Sequence, residues 1–166
     1  LFEADGSGNM AKLLNTLKIP FSEISGLDGC TGKTLLISGM DFDQYSNLQQ
    51  EFLKLMQRGV QKIIVVNPLG TMPLTLAKFD KTVFANNSIV KELNKKLDTC
   101  RTAKSFEIIP TDDSAALSVS KKNNGMTYCM FSHGKSELYI LSWDIAGLAT
   151  NSPAPLYILS KLLINK

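Results

Sequence analysis

The 166 residues are 44% hydrophobic and 20% charged, with 18 Lys and Arg against 15 Asp and Glu. This length and apolar content suit a single domain spanning residues 1–166, long enough to bury a continuous core. The net charge of +3 is scattered, with no basic stripe interleaved with aromatics, which argues against a nucleic-acid partner; the longest apolar runs are far too short to span a bilayer.

Leu1–Ala4 reads as a first strand, and Met10, Leu13, Leu14 and Leu17 form one face of a short helix after the loop Asp5-Gly6-Ser7-Gly8. Phe21–Ile24 predicts a second strand and Ser25–Gly32 a turn-rich connection. Lys33–Ser38 and Ile63–Val66 are short apolar runs, the second wholly β-branched, with the pattern of strands buried on both faces. Between them Leu48, Phe52, Leu55 and Met56 recur at i, i+4, i+7 and i+8, which places them on the inner face of a helix and leaves Gln49, Gln50, Lys54 and Gln57 mainly outside. Ser46 and Gln49 have the spacing of a capping box, and Gly59 stands where a left-handed helix stop is expected. Strand, amphipathic helix and strand make a crossover unit, right-handed in nearly every parallel sheet.

After Gly70 the pattern weakens, and Thr71–Ser88 reads as a long excursion with little regular structure. Ile89, Val90, Leu93 and Leu97 predict a helix, and Ser105–Ile109 a strand. Ala115–Ser120, Met126–Phe131 and Glu137–Trp143 are strand-like runs joined by Lys122-Asn123-Asn124-Gly125 and His133-Gly134-Lys135-Ser136, the layout of an antiparallel meander. Ser152 as N-cap and Pro153 at the first helical position open a last helix, with Ile158, Leu159, Leu162 and Leu163 inside.

The alternation of strands and helices predicts an α/β fold: a flavodoxin-like, three-layer, doubly wound and mostly parallel sheet with an antiparallel addition near the C-terminus. Through Leu1–Ile24, Lys33–Phe42, Phe52–Val66, Ser132–Gly147 and Asn151–Leu163, nearly the whole chain resembles the class I glutamine amidotransferase-like superfamily. A helix, a Gly and an apolar strand in succession are common in that group, as are a late turn with Gly-Lys, a strand and a proline-led terminal helix. Its non-catalytic accessory members include domains attached to β-galactosidases and other large glycoside hydrolases. The resemblance implies a non-catalytic domain of a larger, carbohydrate-active protein, with other domains of the same polypeptide or further copies of itself as partners. A start at Leu1, inside an apparent strand, reads as that of an excised piece; an exported parent would place the domain in the periplasm or outside the cell.

By the same resemblance, a working amidotransferase needs a Cys in a tight Gly-flanked elbow between strand and helix, with a late His and a nearby Glu. The turn after Ile63–Val66 is Asn67-Pro68-Leu69-Gly70 and holds neither Cys nor Ser. Cys129, His133 and Glu137 supply the residue types, but a strand followed by a turn offers the sulfur no elbow, so they read as a core thiol and a turn histidine. Cys30, Cys100 and Cys129 are too few and too far apart for zinc, and Cys30 could pair with Cys100 only in an exported protein. Gly29-Cys30-Thr31-Gly32-Lys33-Thr34 imitates the end of a phosphate-binding loop, yet Leu27 takes the place of its first glycine and the motif leads into a strand. No catalytic residue, cofactor site or metal site follows from these motifs.

One constellation remains. Asp5, Asp41, Asn67 and Asp144 each follow a strand, and in a parallel sheet they would share the carboxyl edge, where such folds bind ligands. Carboxylates clustered there could hold a cation or serve a small hydrolase; Asp and Asn also favour turns and helix caps, which suits the same four positions to local structural work. Asn86-Asn87-Ser88 matches a glycosylation acceptor, and Trp143 and Tyr139 read as core residues unless an exposed Trp stacks on a sugar.

Overall fold

The computed structural model describes residues 1–85, 106–112, 128–149 and 153–164. Strand β1 (Phe2–Glu3) is followed by helix α1 (Asn9–Thr16), β2 (Thr34–Ser38), α2 (Leu48–Gln57) and β3 (Lys62–Val66). Then come β4 (Gly70–Leu74), β5 (Lys81–Ala85), β6 (Phe106–Pro110), β7 (Tyr128–His133), β8 (Ser136–Leu141), the one-turn helix α3 (Ile145–Leu148) and α4 (Pro153–Ile164). Six strands form one sheet in the order β1-β2-β3-β8-β7-β5. Its first four members run parallel, while β7 is antiparallel to both β8 and β5. The fold is therefore mixed α/β around a mostly parallel sheet with an antiparallel flank, compatible with three layers.

Successive side chains of a strand point to opposite faces, so each central strand feeds two cores. Ile37, Ile63, Val65 and Ile140 join Phe52, Leu55 and Met56 of α2 on one face, where β4 and β6 add Met72, Leu74 and Ile108. Leu36, Ile64, Val66 and Leu141 join Met10 and Leu14 of α1 and Ile158 and Leu162 of α4 on the other. All four residues Ile63–Val66 are 0% exposed, which is why β3 shows no polar alternation. Helix α2 ends as its Gly59 requires: Gly59 has φ +101°, its N–H donates to the Met56 carbonyl at 3.1 Å, and the Val60 N–H reaches Leu55 at 3.0 Å. These are the two bonds of a Schellman stop. The hairpin between β7 and β8 turns on Gly134-Lys135, with Gly134 at φ +60°, the requirement of a type II′ turn at its first position.

Several expectations need correction. Thr71–Ser88 is not an irregular excursion through its first fifteen positions, because it holds β4 and β5. Met72 and Leu74 point into the core from β4, which pairs in parallel with β6 as a separate two-stranded ribbon, and Pro73 is tolerated because such a ribbon asks for ladder bonds on one side. Strand β5 takes the third place in the antiparallel flank expected of Ala115–Ser120. That run, the helix over Ile89–Leu97, Asn86-Asn87-Ser88, Cys100, Lys122-Asn123-Asn124-Gly125 and Ser152 lie outside the described residues. The capping box also fails: Asn47 precedes α2, and Gln49 instead donates to the Thr75 carbonyl at 3.0 Å and accepts its N–H at 2.9 Å. Phe21–Ile24 is not a regular strand, but the Leu1 ammonium donates to Ser22 O at 2.7 Å and the Ile24 N–H to Leu1 O at 2.9 Å. Leu17 follows the last turn of α1 and is 37% exposed. Among the described residues no helix is long and apolar enough to cross a membrane.

Candidate functional site

Parallel pairing of β1, β2, β3 and β8 carries Asp5, Asp41, Asn67 and Asp144 to one edge of the sheet, as their positions after strands imply. There each carboxylate is engaged by its own loop. Asp5 Oδ1 accepts the Ser7 N–H at 3.0 Å and lies against Gly39, which has φ +67° and no space for a Cβ. Asp41 Oδ1 accepts the Asp43 N–H at 3.2 Å and its Oδ2 the Gln44 Nε2 at 3.1 Å, closing the single 3-10 turn Phe42–Gln44. Asp144 caps α3 by accepting the Gly147 N–H at 2.9 Å. Among the described residues no group of three or more His, Cys, Asp or Glu side chains is placed to hold a metal ion.

Asn67 differs from the three acids. Its backbone adopts φ +52°, its N–H donates to the Leu141 carbonyl at 3.0 Å, and its buried Oδ1 has no hydrogen-bond partner among the described residues. Trp143, two residues past β8, is 2% exposed with an equally orphaned Nε1, so it cannot offer a face to a sugar. Buried polar atoms of this kind are uncommon and call for a reason.

Two further acids at this edge escape sequence reasoning. Glu3, on β1 itself, accepts the N–H groups of Met10 at 2.7 Å and Ala11 at 3.4 Å, and so supplies the cap of α1. Asp43 accepts the Thr71 N–H at 2.9 Å, and with Asp41 it encloses Gly70, where a Cβ would lie 2.6 Å from Asp43 Oδ2. The Asp41-Phe42-Asp43 spacing was the only signal for Asp43, while nothing local marks Glu3.

The turn that might hold a nucleophile also lacks the form of an elbow. After Asn67-Pro68-Leu69-Gly70 the chain enters β4 rather than a helix, and Leu69 bridges Asp41 in parallel. Cys129 is 0% exposed in β7, and burial pushes its thiol well above the usual range. It pairs with Ile140, whereas His133 pairs with Ser136 at the far end of the strand, roughly 13 Å away at strand rise. His133 Nδ1 donates to the Lys78 carbonyl at 3.1 Å, and Glu137 accepts the Tyr139 hydroxyl at 2.7 Å. The three residues thus have separate partners. Gly29-Cys30-Thr31-Gly32-Lys33-Thr34 leads into β2 at the opposite, amino edge and opens no helix. Compared with known proteins, the chain matches no family model, no curated sequence and no solved structure.

Proposed function

We propose that this chain is a non-catalytic interaction domain of the class I glutamine amidotransferase-like kind, serving a larger, carbohydrate-active protein of the β-galactosidase-like type by packing on its catalytic domain or joining copies of it. The observation that carries the reading is that Asp5, Asp41 and Asp144, at the edge where such sheets usually work, are all engaged by backbone or amide groups within three residues. A flavodoxin-like, doubly wound path draws support from Leu1. Its bonds to Ser22 and Ile24 flank Glu23 as in a parallel pair, which would set the 21–24 segment outside β1, with β2 on its other side and the chain reversing between them.

A second reading, a ligand-binding module or small hydrolase using the carboxyl edge, is favoured by the orphaned Asn67 Oδ1 and Trp143 Nε1. One experiment separates the interaction reading from the hydrolase. The purified chain is assayed for glutaminase, esterase and glycosidase turnover beside Asp41→Ala. The interaction reading expects no turnover in either; an activity that vanishes in Asp41→Ala while the melting temperature holds would replace it with the second.

A further inference from the structure

Between the start of α2, the 3-10 turn Phe42–Gln44 and the outer edge of β4 lies a cleft of about 170 Å³. Its floor is apolar and belongs to one core: Phe42, Leu48 and Met72 are 1%, 4% and 1% exposed, and the half-buried Tyr45 packs beside them. The pairing of β4 sets one wall. Leu74 turns its carbonyl to β6, accepting the Thr111 N–H at 3.0 Å, so Thr71, Pro73 and Thr75 turn their backbone groups the other way, to the cleft side. Asp43 accepts the Thr71 N–H at 2.9 Å, while Gln49 accepts the Thr75 N–H at 2.9 Å and donates to its carbonyl at 3.0 Å. Between these two anchors stands the carbonyl of Pro73, which has no N–H for a further strand to use. Strand addition is thereby blocked, and an acceptor is left for a smaller molecule. Ser46, Asn47 and Gln50 are exposed at the mouth, and the Asn47 side chain makes no bond to the start of α2.

We infer that this cleft binds a single ring of a neutral sugar, its C–H face on Tyr45 and Met72 and its hydroxyls at the Pro73 carbonyl and the amides of Asn47 and Gln50. Size allows one ring, since cavities of about 150 Å³ already hold benzene. Charge is disfavoured because no Asp, Glu, Lys, Arg or His lines the cleft, so an ionic ligand would find no opposite charge to pair with. The acids next in sequence are committed elsewhere: Asp43 to Thr71, and Asp112 to the N–H groups of Leu76 and Ala77. A wholly apolar ring is disfavoured as well, because it would strip water from the rim groups without replacing their hydrogen bonds. An apolar floor with a few polar groups around it is the usual form of a small-molecule pocket. This inference goes beyond both readings above, since none of Asp5, Asp41, Asn67 and Asp144 lines the cleft.

Backbone amide shifts of the isotope-labelled native chain test it. The methyl glycosides of glucose, galactose and mannose are added separately, each to about 20 mM, against a dissociation constant of about 1 mM for a ligand of this size. At least one should move the amides of Asn47, Gln50, Thr71 and Thr75 along a single saturation curve and leave those of α4 in place. The matching methyl uronide, which adds a carboxylate, and cyclohexanol, which lacks the other hydroxyls, should each bind at least tenfold more weakly. No shift of the cleft amides with any of the three sugars, shifts centred elsewhere, or binding of the uronide or cyclohexanol within tenfold of the sugar overturns the inference. Thr71→Trp, which fills the cleft while keeping the N–H that Asp43 accepts, should abolish the shifts at Asn47 and Gln50 if its melting curve shows a folded chain; shifts that persist there also overturn it. Should that variant not fold, the ligand series on the native chain decides alone.

Discussion

The Asp5 carboxylate rests directly on Gly39, so that a Cβ at position 39 would collide with it. Gly39 also needs its φ of +67°, which ordinary side chains rarely adopt. Gly39→Ala should therefore destabilise by roughly 1–3 kcal/mol, seen as a lower midpoint in urea. Gly59→Ala is the comparison: Gly59 has φ +101° with nothing within 4 Å of a built Cβ, so that variant bears the backbone strain alone, about 1 kcal/mol. Adding Asp5→Ala should recover the part of the Gly39→Ala loss due to collision. Additive losses in that cycle would mean that the contact is not tight.

Glu3 joins β1 to α1 by accepting two N–H groups of the first helical turn. Glu3→Ala should cost about 0.5–2 kcal/mol, the usual range for a lost N-terminal cap. Glu3→Gln, which keeps an acceptor oxygen, should fall between that variant and the native chain. Equal stability of all three in chemical denaturation would show that water serves the helix end as well.

What could be read from the chain was what repeats locally. The β-branched run Ile63–Val66 and the spacing of Leu48, Phe52, Leu55 and Met56 report burial residue by residue, and β3 and α2 appear where they fall. The edges were illegible because their reasons are distant. Gln49 serves Thr75, 26 residues away, rather than its own helix end, and Glu3 reaches Met10 only because Gly6 and Gly8 turn the loop at φ +63° and +68°. Pro73 lies inside β4, which tolerates it in its two-stranded ribbon. For the candidate site, following a strand in a parallel sheet located Asp5, Asp41, Asn67 and Asp144 along one edge. Whether they meet depends on loop geometry, and the loops turn each carboxylate back on its own backbone.

Acid should weaken the connection between β4 and β5. The Asp112 carboxylate accepts the N–H groups of Leu76 at 2.9 Å and Ala77 at 2.7 Å, and these two bonds, Leu76 first, hold its pKa below the usual value. A depressed folded-state pKa favours the folded chain above the unfolded pKa, and that contribution is lost as pH falls through the folded value. The contribution should be full above about pH 5 and decline below pH 4. Asp112→Asn should lower stability at neutral pH and flatten the acid limb of the stability curve. An unchanged acid limb would assign that limb to other carboxylates.

Alkali should act through the opposite sign. Burial raises the thiol of Cys129 and the hydroxyls of Tyr128 and Tyr139, the last helped by its bond to Glu137. The folded chain keeps these protons while the unfolded chain releases them, so stability should fall as pH rises through the ordinary thiol and phenol values, about 9 to 10. Tyr139→Phe should make the decline shallower. Native Cys129 should also resist thiol reagents at pH 8 and react only at the rate of global unfolding; rapid labelling in the folded state would contradict its burial.

Asn67 combines two unfavourable features, a left-handed backbone at φ +52° and a buried oxygen with no partner among the described residues. Gly adopts that backbone without a Cβ and removes the oxygen, so Asn67→Gly should be neutral or stabilise by up to about 1 kcal/mol. Asn67→Val, β-branched where φ is positive, should destabilise by roughly 1–3 kcal/mol. Both are read from urea midpoints at pH 7. A gain in Asn67→Gly would mark the Asn as a residue whose presence stability does not explain, at the strand end where enzymes of this layout place a nucleophile. A loss there would mean instead that the Asn side chain supports its turn, and would remove the main observation favouring a ligand at the carboxyl edge.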